Sequence, residues 1–209
     1  MNIDTLILGP LDTNCYVVSA DSECWVVDPG MDAAPLIRLL NDREASVSRI
    51  IVTHGHGDHI GAVGDVKTAH PDATITCPSG DAAMLTDPQA NLSAPFGFAL
   101  SCPPADETID PGQTLSLGSA QWRVIDTSGH TPGGVSLYCE KESVVITGDA
   151  LFAGSIGRTD IPGGSASRLL RNIRENLLSL PDDVVVLPGH GPQSSIGREK
   201  RENPFFAGK

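Results

Sequence analysis

The stretch "THGHGDHIG", residues 53–61, places three histidines and one aspartate within nine positions, directly after the apolar run "RIIV". Imidazoles are awkward core residues, and a solvent-facing loop gains nothing from four ligand-type side chains so close together. A metal centre does need them. Zinc and similar ions take histidine nitrogen and carboxylate oxygen, and catalytic sites leave one position open for water. His54 and His56 alternate, so on an extended segment they point the same way, and Asp58 and His59 then turn off towards a second position. The chain must therefore fold so that a strand ends here and further donors meet it.

Those further donors occur at the same kind of place. His54, Asp149 and His190 each lie just beyond a β-rich apolar run, in "RIIVTH", "SVVITGD" and "VVVLPGH". His130, in "VIDTSGHTPGG", follows a fourth such run by a few residues. Loops at strand ends, carried on a rigid sheet, are where sites are usually built. With His130, Asp149 and His190 added, the donors suffice for two metal sites if Asp149 is shared. Five of the six histidines are then used, and His70, in "AHPDA", reads as a helix-end residue.

The scaffold reads as α/β. Strand-like runs "TLIL", "CYVVSA", "CWVVD" and "RIIVT" fill the first quarter, and "QTLSL", "QWRVIDT", "GVSLYCE", "SVVITGD" and "DVVVLPG" follow later, with Gly, Pro or Asp at their ends. Helical patterns fall at residues 33–43, 59–69, 79–86 and 165–179, with a short one near 193–201. The fourth of these carries an apolar stripe at 169, 170, 173, 177, 178 and 180 behind a serine cap. No repeat, linker or low-complexity stretch divides the 209 residues, so one domain spanning 1–209 and a layered α/β sandwich are expected.

Composition narrows the function classes. A net charge of −12 argues against nucleic acid as a partner, since phosphate binding needs a basic surface. Residues 1–120 hold 16 acids and 4 bases, whereas 121–209 hold 10 of each, so docking groups for an anionic substrate are expected from the later part. No apolar run reaches the roughly 18 residues of a membrane span, and "MNIDTLILGP" reads as a strand, not a signal peptide. Five scattered cysteines, none in a CxxC pair, suit reduced buried thiols in a cytoplasmic protein.

"THGHGDHIG", "SGHTPGG", "TGDALFAG" and "LPGHG", in that order, resemble the ligand series of the metallo-β-lactamase superfamily, nearest to glyoxalase II, the hydroxyacylglutathione hydrolases, in their short bacterial form. The likeness runs from "TNCYVV" and "VVDPG" to "GREKRENPFF". It implies a four-layer αββα sandwich with two metal ions at one edge of the paired sheets. It also implies that His54, His56 and His130 bind one ion, that Asp58, His59 and His190 bind the other, and that Asp149 bridges them. Asp58 and Asp149 are thereby the catalytic carboxylates, and Asp28 in "VVDPG" orients ligands from behind. Arg158 falls where glyoxalase II has a basic residue for the glutathione moiety, and Arg198 and Arg201 are further anion contacts. Long glyoxalase II chains continue into a helical substrate-binding domain, whereas only 19 residues follow His190 here.

The chemistry follows from the donors. Two divalent cations about 3.5–4 Å apart depress the pKa of a shared water, and the resulting hydroxide attacks an ester or thioester carbonyl. Zinc is the first expectation, with iron or manganese as alternatives. No GxSxG nucleophile motif and no GxxxxGK[ST] phosphate loop competes with this reading. The expected activity is hydrolysis of a small glutathione-linked thioester such as S-lactoylglutathione. A persulfide dioxygenase with a single iron on His54, His130 and Asp149 shares the HxHxDH and "GRTD" motifs. A non-enzymatic metal-binding module is the alternative of another class.

Overall fold

Strand β2 (Thr13–Ala20) shows how the layers arise. Cys15 and Val17 join one apolar cluster while Tyr16 and Val18 join another, and all four are buried. A strand with both faces apolar needs a layer on each side. The computed structural model, which describes residues 1–208, supplies those layers as α, β, β and α.

The first sheet runs β1 (Asn2–Leu8), β2, β3 (Glu23–Val27), β4 (Val47–Ile51), β5 (Thr74–Pro78) and β6 (Glu107–Ile109) in that spatial order. It is antiparallel from β1 to β3 and parallel from β3 to β6. Four strands of the second sheet are β7 (Thr114–Leu117), β8 (Ala120–Asp126), β9 (Val135–Cys139) and β10 (Val144–Gly148). Beyond the small hairpin of β11 (Leu151–Phe152) and β12 (Ser155–Ile156), that sheet is completed by β13 (Val185–Pro188) and β14 (Ser194–Ser195). Its spatial order is β14-β13-β10-β9-β8-β7, and only β10 and β13 run parallel.

Trp25 and Trp122 meet between the sheets with ring centroids 6.2 Å apart. Burying one such ring is worth about 4–6 kcal/mol of apolar area. Neither indole N–H finds a partner, which offsets part of that gain. Outside the first sheet lie α1 (Ala33–Asp42) and α3 (Val63–Ala69), which bury Leu36, Leu40, Val63 and Val66. Outside the second lie α4 (Ala166–Asn172), its π-helical continuation Ile173–Leu177, and α5 (Ile196–Glu202). Leu169, Ile173, Leu177 and Ile196 seal that face.

Several local features differ from the pattern in the sequence. Residues 59–69 form two pieces, α2 (Gly57–Ile60) and α3, because at Ala62 the backbone leaves helical geometry and its N–H donates to Pro29 O at 2.9 Å. Ser79–Leu85 is a 3₁₀ helix, and Ser165 makes no side-chain cap bond at the start of α4. Strands β5, β6, β11, β12 and β14 have no strong alternating signature. They are short or buried on both faces, and their pairing is set by neighbours. His70 ends α3. All five cysteines are free and buried, and no helix among the described residues is long and apolar enough to cross a membrane.

At one edge the two sheets are stitched together by backbone. Val135 donates to Thr53 O (3.0 Å), Asn14 donates to Gly189 O (2.8 Å), and Thr13 bridges His190. The loops leaving β4, β8, β10 and β13 therefore open onto one place.

Candidate metal centre

Strand β3 ends at Asp28, whose φ of 52° lies in the left-handed region. A non-glycine residue there is uncommon and is held only by its surroundings. Its buried carboxylate accepts from Thr53 N (2.6 Å), from Thr53 Oγ1 (2.7 Å) and from His59 Nδ1 (3.0 Å). Because the Thr53 hydroxyl spends its proton on Asp28, its oxygen is left to accept from His54 Nδ1 at 3.2 Å. One aspartate thus fixes two imidazoles, one directly and one through a hydroxyl.

Two more rings are fixed by carbonyls. His130 Nδ1 lies 2.7 Å from Arg158 O, and His190 Nδ1 lies 3.0 Å from Leu11 O. A carbonyl only accepts, so each Nδ1 carries the proton and each Nε2 presents a bare lone pair. His54, His59, His130 and His190 all turn Nε2 inward for this reason. His56 differs, reaching the cluster through Nδ1, 2.9 Å from His130 Nε2.

The inward atoms form close triplets: His54 with His56 and His130, and Asp58 with His59 and His190, each set lying within 4.8 Å. Asp149 stands between them, with Oδ1 at 3.2 Å from His59 Nε2 and Oδ2 at 3.5 Å from His130 Nε2. Asp58 Oδ2 lies 3.1 Å from His190 Nε2, itself 3.2 Å from His59 Nε2. His54 Nε2 and Asp149 Oδ1, both turned into the cluster, are buried without a hydrogen-bond partner. Lone pairs and carboxylates converging this way repel one another unless positive charge sits among them. The donor set therefore fits divalent metal ions, and it is a His/Asp cluster of the kind that holds two.

The titration of these groups points the same way. Burial and the imidazole of His130 push His56 down to about 3, which leaves it a neutral ligand at pH 7. Burial opposes protonation of His59, yet Asp149, Asp58 and Asp28 outweigh it and hold its pKa well above the usual range. Asp58 shifts below the usual carboxylate range because His59 and His190 overcome the effect of burial. The carboxylate-rich half demands a cation, and a metal entering it displaces a proton.

Close approach of backbone is needed here. Gly148, at φ 47°, abuts Thr53, and a Cβ on Gly189 would overlap Asp149 Oδ1. Glycine before Asp149 and before His190 is what lets β10 and β13 deliver their donors side by side.

Asp81 has no counterpart in the sequence reading. Fully buried after β5, it accepts from Gly55 N (3.1 Å), Thr131 Oγ1 (2.6 Å) and Gly133 N (2.7 Å). It ties the loop of His54 and His56 to the loop of His130. Its only sequence signal is a carboxylate in "PSGDAAML", a segment that reads as an exposed helix turn.

A cavity of about 610 Å³ opens over the cluster, with His56, Asp58, His130 and Asp149 in its wall. Leu11, Phe96, Phe98 and Ile161 form much of the remainder. Arg158 stands at its edge, 71% exposed and in a two-pronged pair with Asp160 at 3.0 Å. Arg198 and Arg201 do not line the cavity. They lie on α5, where Arg198 pairs with Glu202 at 3.0 Å.

Comparison with known proteins places this edge-of-sandwich cluster. Residues 8–190 match the profile described as the Metallo-beta-lactamase superfamily. The chain belongs to that superfamily. Among curated relatives, the "Probable metallo-hydrolase YqgX" of Bacillus subtilis is 36% identical over 96% of this chain and 95% of its own. The "Hydroxyacylglutathione hydrolase GloC" of Haemophilus influenzae is 32% identical over the full length of both. Among solved structures, the BLEG-1 B3 metallo-beta-lactamase superposes with a TM-score of 0.95 at 38% identity, over 99% of this chain and 100% of that one. TTHA1623 in a di-iron-bound form gives 0.87 at 34% identity over 97% and 100%. ETHE1 from Myxococcus xanthus gives 0.82 at 28% identity over 100% and 86%. This metallo-β-lactamase-fold protein is thus a metallo-hydrolase superfamily member with the αββα architecture and a metal-binding His/Asp cluster.

Proposed function

We propose that the protein is a dinuclear metal-dependent hydrolase that cleaves a thioester such as S-lactoylglutathione into a hydroxy acid and a free thiol. The observation that carries this reading is the position of Asp149, with one carboxylate oxygen towards each donor triplet. In it, His54, His56 and His130 hold one ion, and Asp58, His59 and His190 hold the other. Bound there, two divalent ions supply a nucleophilic hydroxide at neutral pH and Lewis-acid polarisation of the carbonyl. Zinc suits the nitrogen-rich set, and iron or manganese fits it as well.

The chain's own residues do the rest. Asp28 and Thr53 keep His59 and His54 in the tautomer that presents Nε2. Asp58 and Asp149 are the two carboxylates that reach the cavity wall, which makes them the groups that meet an incoming substrate. The glutathione-linked choice is supported by full-length similarity to GloC.

The HxHxDH and "GRTD" motifs keep open the alternative of a one-iron persulfide dioxygenase on His54, His130 and Asp149. That reading gives Asp58, His59 and His190 no charge to balance, which favours the dinuclear one. The test pairs two assays on purified protein: thiol release from S-lactoylglutathione, and oxygen uptake with glutathione persulfide. Thiol release without oxygen uptake is the predicted result. Rapid oxygen uptake with thioester cleavage absent would overturn the proposal.

A further inference from the structure

The wall of the cavity beyond the donors is mostly apolar, with Asn91, Ser93 and Arg158 as its polar members, and its mouth is aromatic. Six large apolar side chains among the described residues are exposed, and three of them, Leu11, Phe96 and Phe98, line this cavity. Exposed apolar groups gathered at one opening mark a binding surface, whereas scattered ones do not. The volume of about 610 Å³ is that of a small-molecule pocket.

The aromatic lip is held in place by hydrogen bonds. Phe96 and Phe98 sit on either side of Gly97, whose φ of 85° makes the turn between them. The N–H groups of Phe96 and Phe98 both donate to Ser93 O (3.1 and 3.0 Å), and the Ser93 hydroxyl accepts from Leu100 N at 3.2 Å. Asn91, two residues earlier, donates to Met84 O and Leu100 O at 3.0 Å each. Its own carbonyl accepts from Gly57 N at 2.8 Å, and Gly57 lies between His56 and Asp58. The lip is therefore anchored to the segment that carries four of the candidate donors, His54, His56, Asp58 and His59.

Charge at the cavity points to a neutral occupant. Among the described residues, and outside the candidate donors, Arg158 is the one charged residue in the wall, and Asp160 already pairs with it. An anionic group docking there would have to displace Asp160 and approach a chain of net charge −12.

We infer that the cavity selects thioesters by an apolar acyl chain, neutral and aliphatic or aromatic, held between Leu11, Phe96, Phe98 and Ile161 beside the candidate metal donors. This rests on the thioester-hydrolase reading and moves its preferred acyl group from lactoyl to longer apolar chains. Of the two groups on a thioester's carbonyl carbon, a glutathione-type carrier bears carboxylates that the apolar lip does not match, so the acyl chain is the one assigned to Leu11, Phe96, Phe98 and Ile161. Removing one methylene from water is worth about a three- to fourfold gain. From acetyl to hexanoyl the gain is about 100-fold in kcat/KM if the cavity takes the whole chain.

The test uses the metal-loaded protein and acyl thioesters of N-acetylcysteamine, a small neutral thiol, from acetyl to hexanoyl. A matched series keeps the acetyl group and lengthens the thiol side. The predicted result is a rise of about 100-fold along the acyl series and little along the thiol series. In the Phe96→Ser/Phe98→Ser double variant the hexanoyl-to-acetyl ratio is predicted to shrink at least about tenfold. A flat or falling acyl series, a steeper thiol series, or an unchanged ratio in the double variant would overturn the inference while leaving thioester hydrolysis intact. If no thioester is cleaved, the hydrolase reading fails and calorimetry judges the cavity alone. S-hexyl-N-acetylcysteamine should then still bind about 100-fold tighter than its S-ethyl analogue, and equal binding overturns the inference.

Discussion

On and beneath the floor of the cavity, His130, His54 and His59 are buried, and each Nδ1 proton is committed to a hydroxyl, a carboxylate or a carbonyl. At its rim, Leu11, Phe96 and Phe98 are exposed, and Arg158 reaches into solvent beside Asp160. The floor is built from strand ends of two sheets that hydrogen-bond across the edge, and the rim from loops that leave them. Floor residues have one permitted geometry, and disturbing one leaves a neighbour buried and unpaired. Rim residues contribute area and shape, and each can be changed at small cost to the rest. The proposed function thus puts the chemistry where the packing is over-determined, and substrate choice where it is not.

The sharpest way to break this contrast is at Asp149. Asp149→Ala is predicted to weaken both metal sites together and to lower hydrolysis by at least about 10³-fold. His190→Ala should mainly empty one site. Metal analysis of the two variants checks the pair, and independent loss in Asp149→Ala would separate the two halves of the floor.

Asp81 comes next. Asp81→Ala leaves Gly55 N, Gly133 N and the Thr131 hydroxyl without their acceptor in a dry setting. A loss of about 2–4 kcal/mol of folding stability is predicted by urea denaturation. A change below about 0.5 kcal/mol would mean that the two ligand loops stand without their clamp.

Asp28→Ala is a smaller perturbation of the same floor. It frees the His59 ring and releases the Thr53 hydroxyl from its acceptor. Metal affinity is predicted to fall about 10–100-fold, more for the half containing His59 than for the half containing His54. Competition with a chelator of known affinity measures it.

Arg158→Ala should do least. The guanidinium is 71% exposed and already paired, so kcat/KM on S-lactoylglutathione is predicted to change by no more than about threefold. A larger loss, confined to anionic thioesters, would move Arg158 from rim to reader of the substrate.

The same division decides how much could be read from the sequence. The spacing of His54, His56, Asp58 and His59 and the strand-end positions of Asp149 and His190 are local facts, each visible within a short window. The continuous apolar runs "CYVVSA" and "CWVVD" likewise carry the two-sided burial that makes a sandwich. What escaped depends on residues far apart. Asp81 matters because residues 55, 131 and 133 converge on it, and nothing near "SGDA" announces that. Strands β5 and β6 form because neighbours offer edges to pair with. Phe96 and Phe98 face the metal loop only because Asn91 bonds Gly57. Arg198 and Arg201 follow His190 closely in sequence, but α5 carries them along the second sheet to sites outside the cavity.

The central claim, two metal ions sharing Asp149, is tested most directly by titrating metal-stripped protein with zinc or manganese while following thioester cleavage. The account predicts activity that keeps rising until two ions are bound per chain and that stays flat beyond. Full activity at one ion per chain, with no further gain from a second, would contradict it.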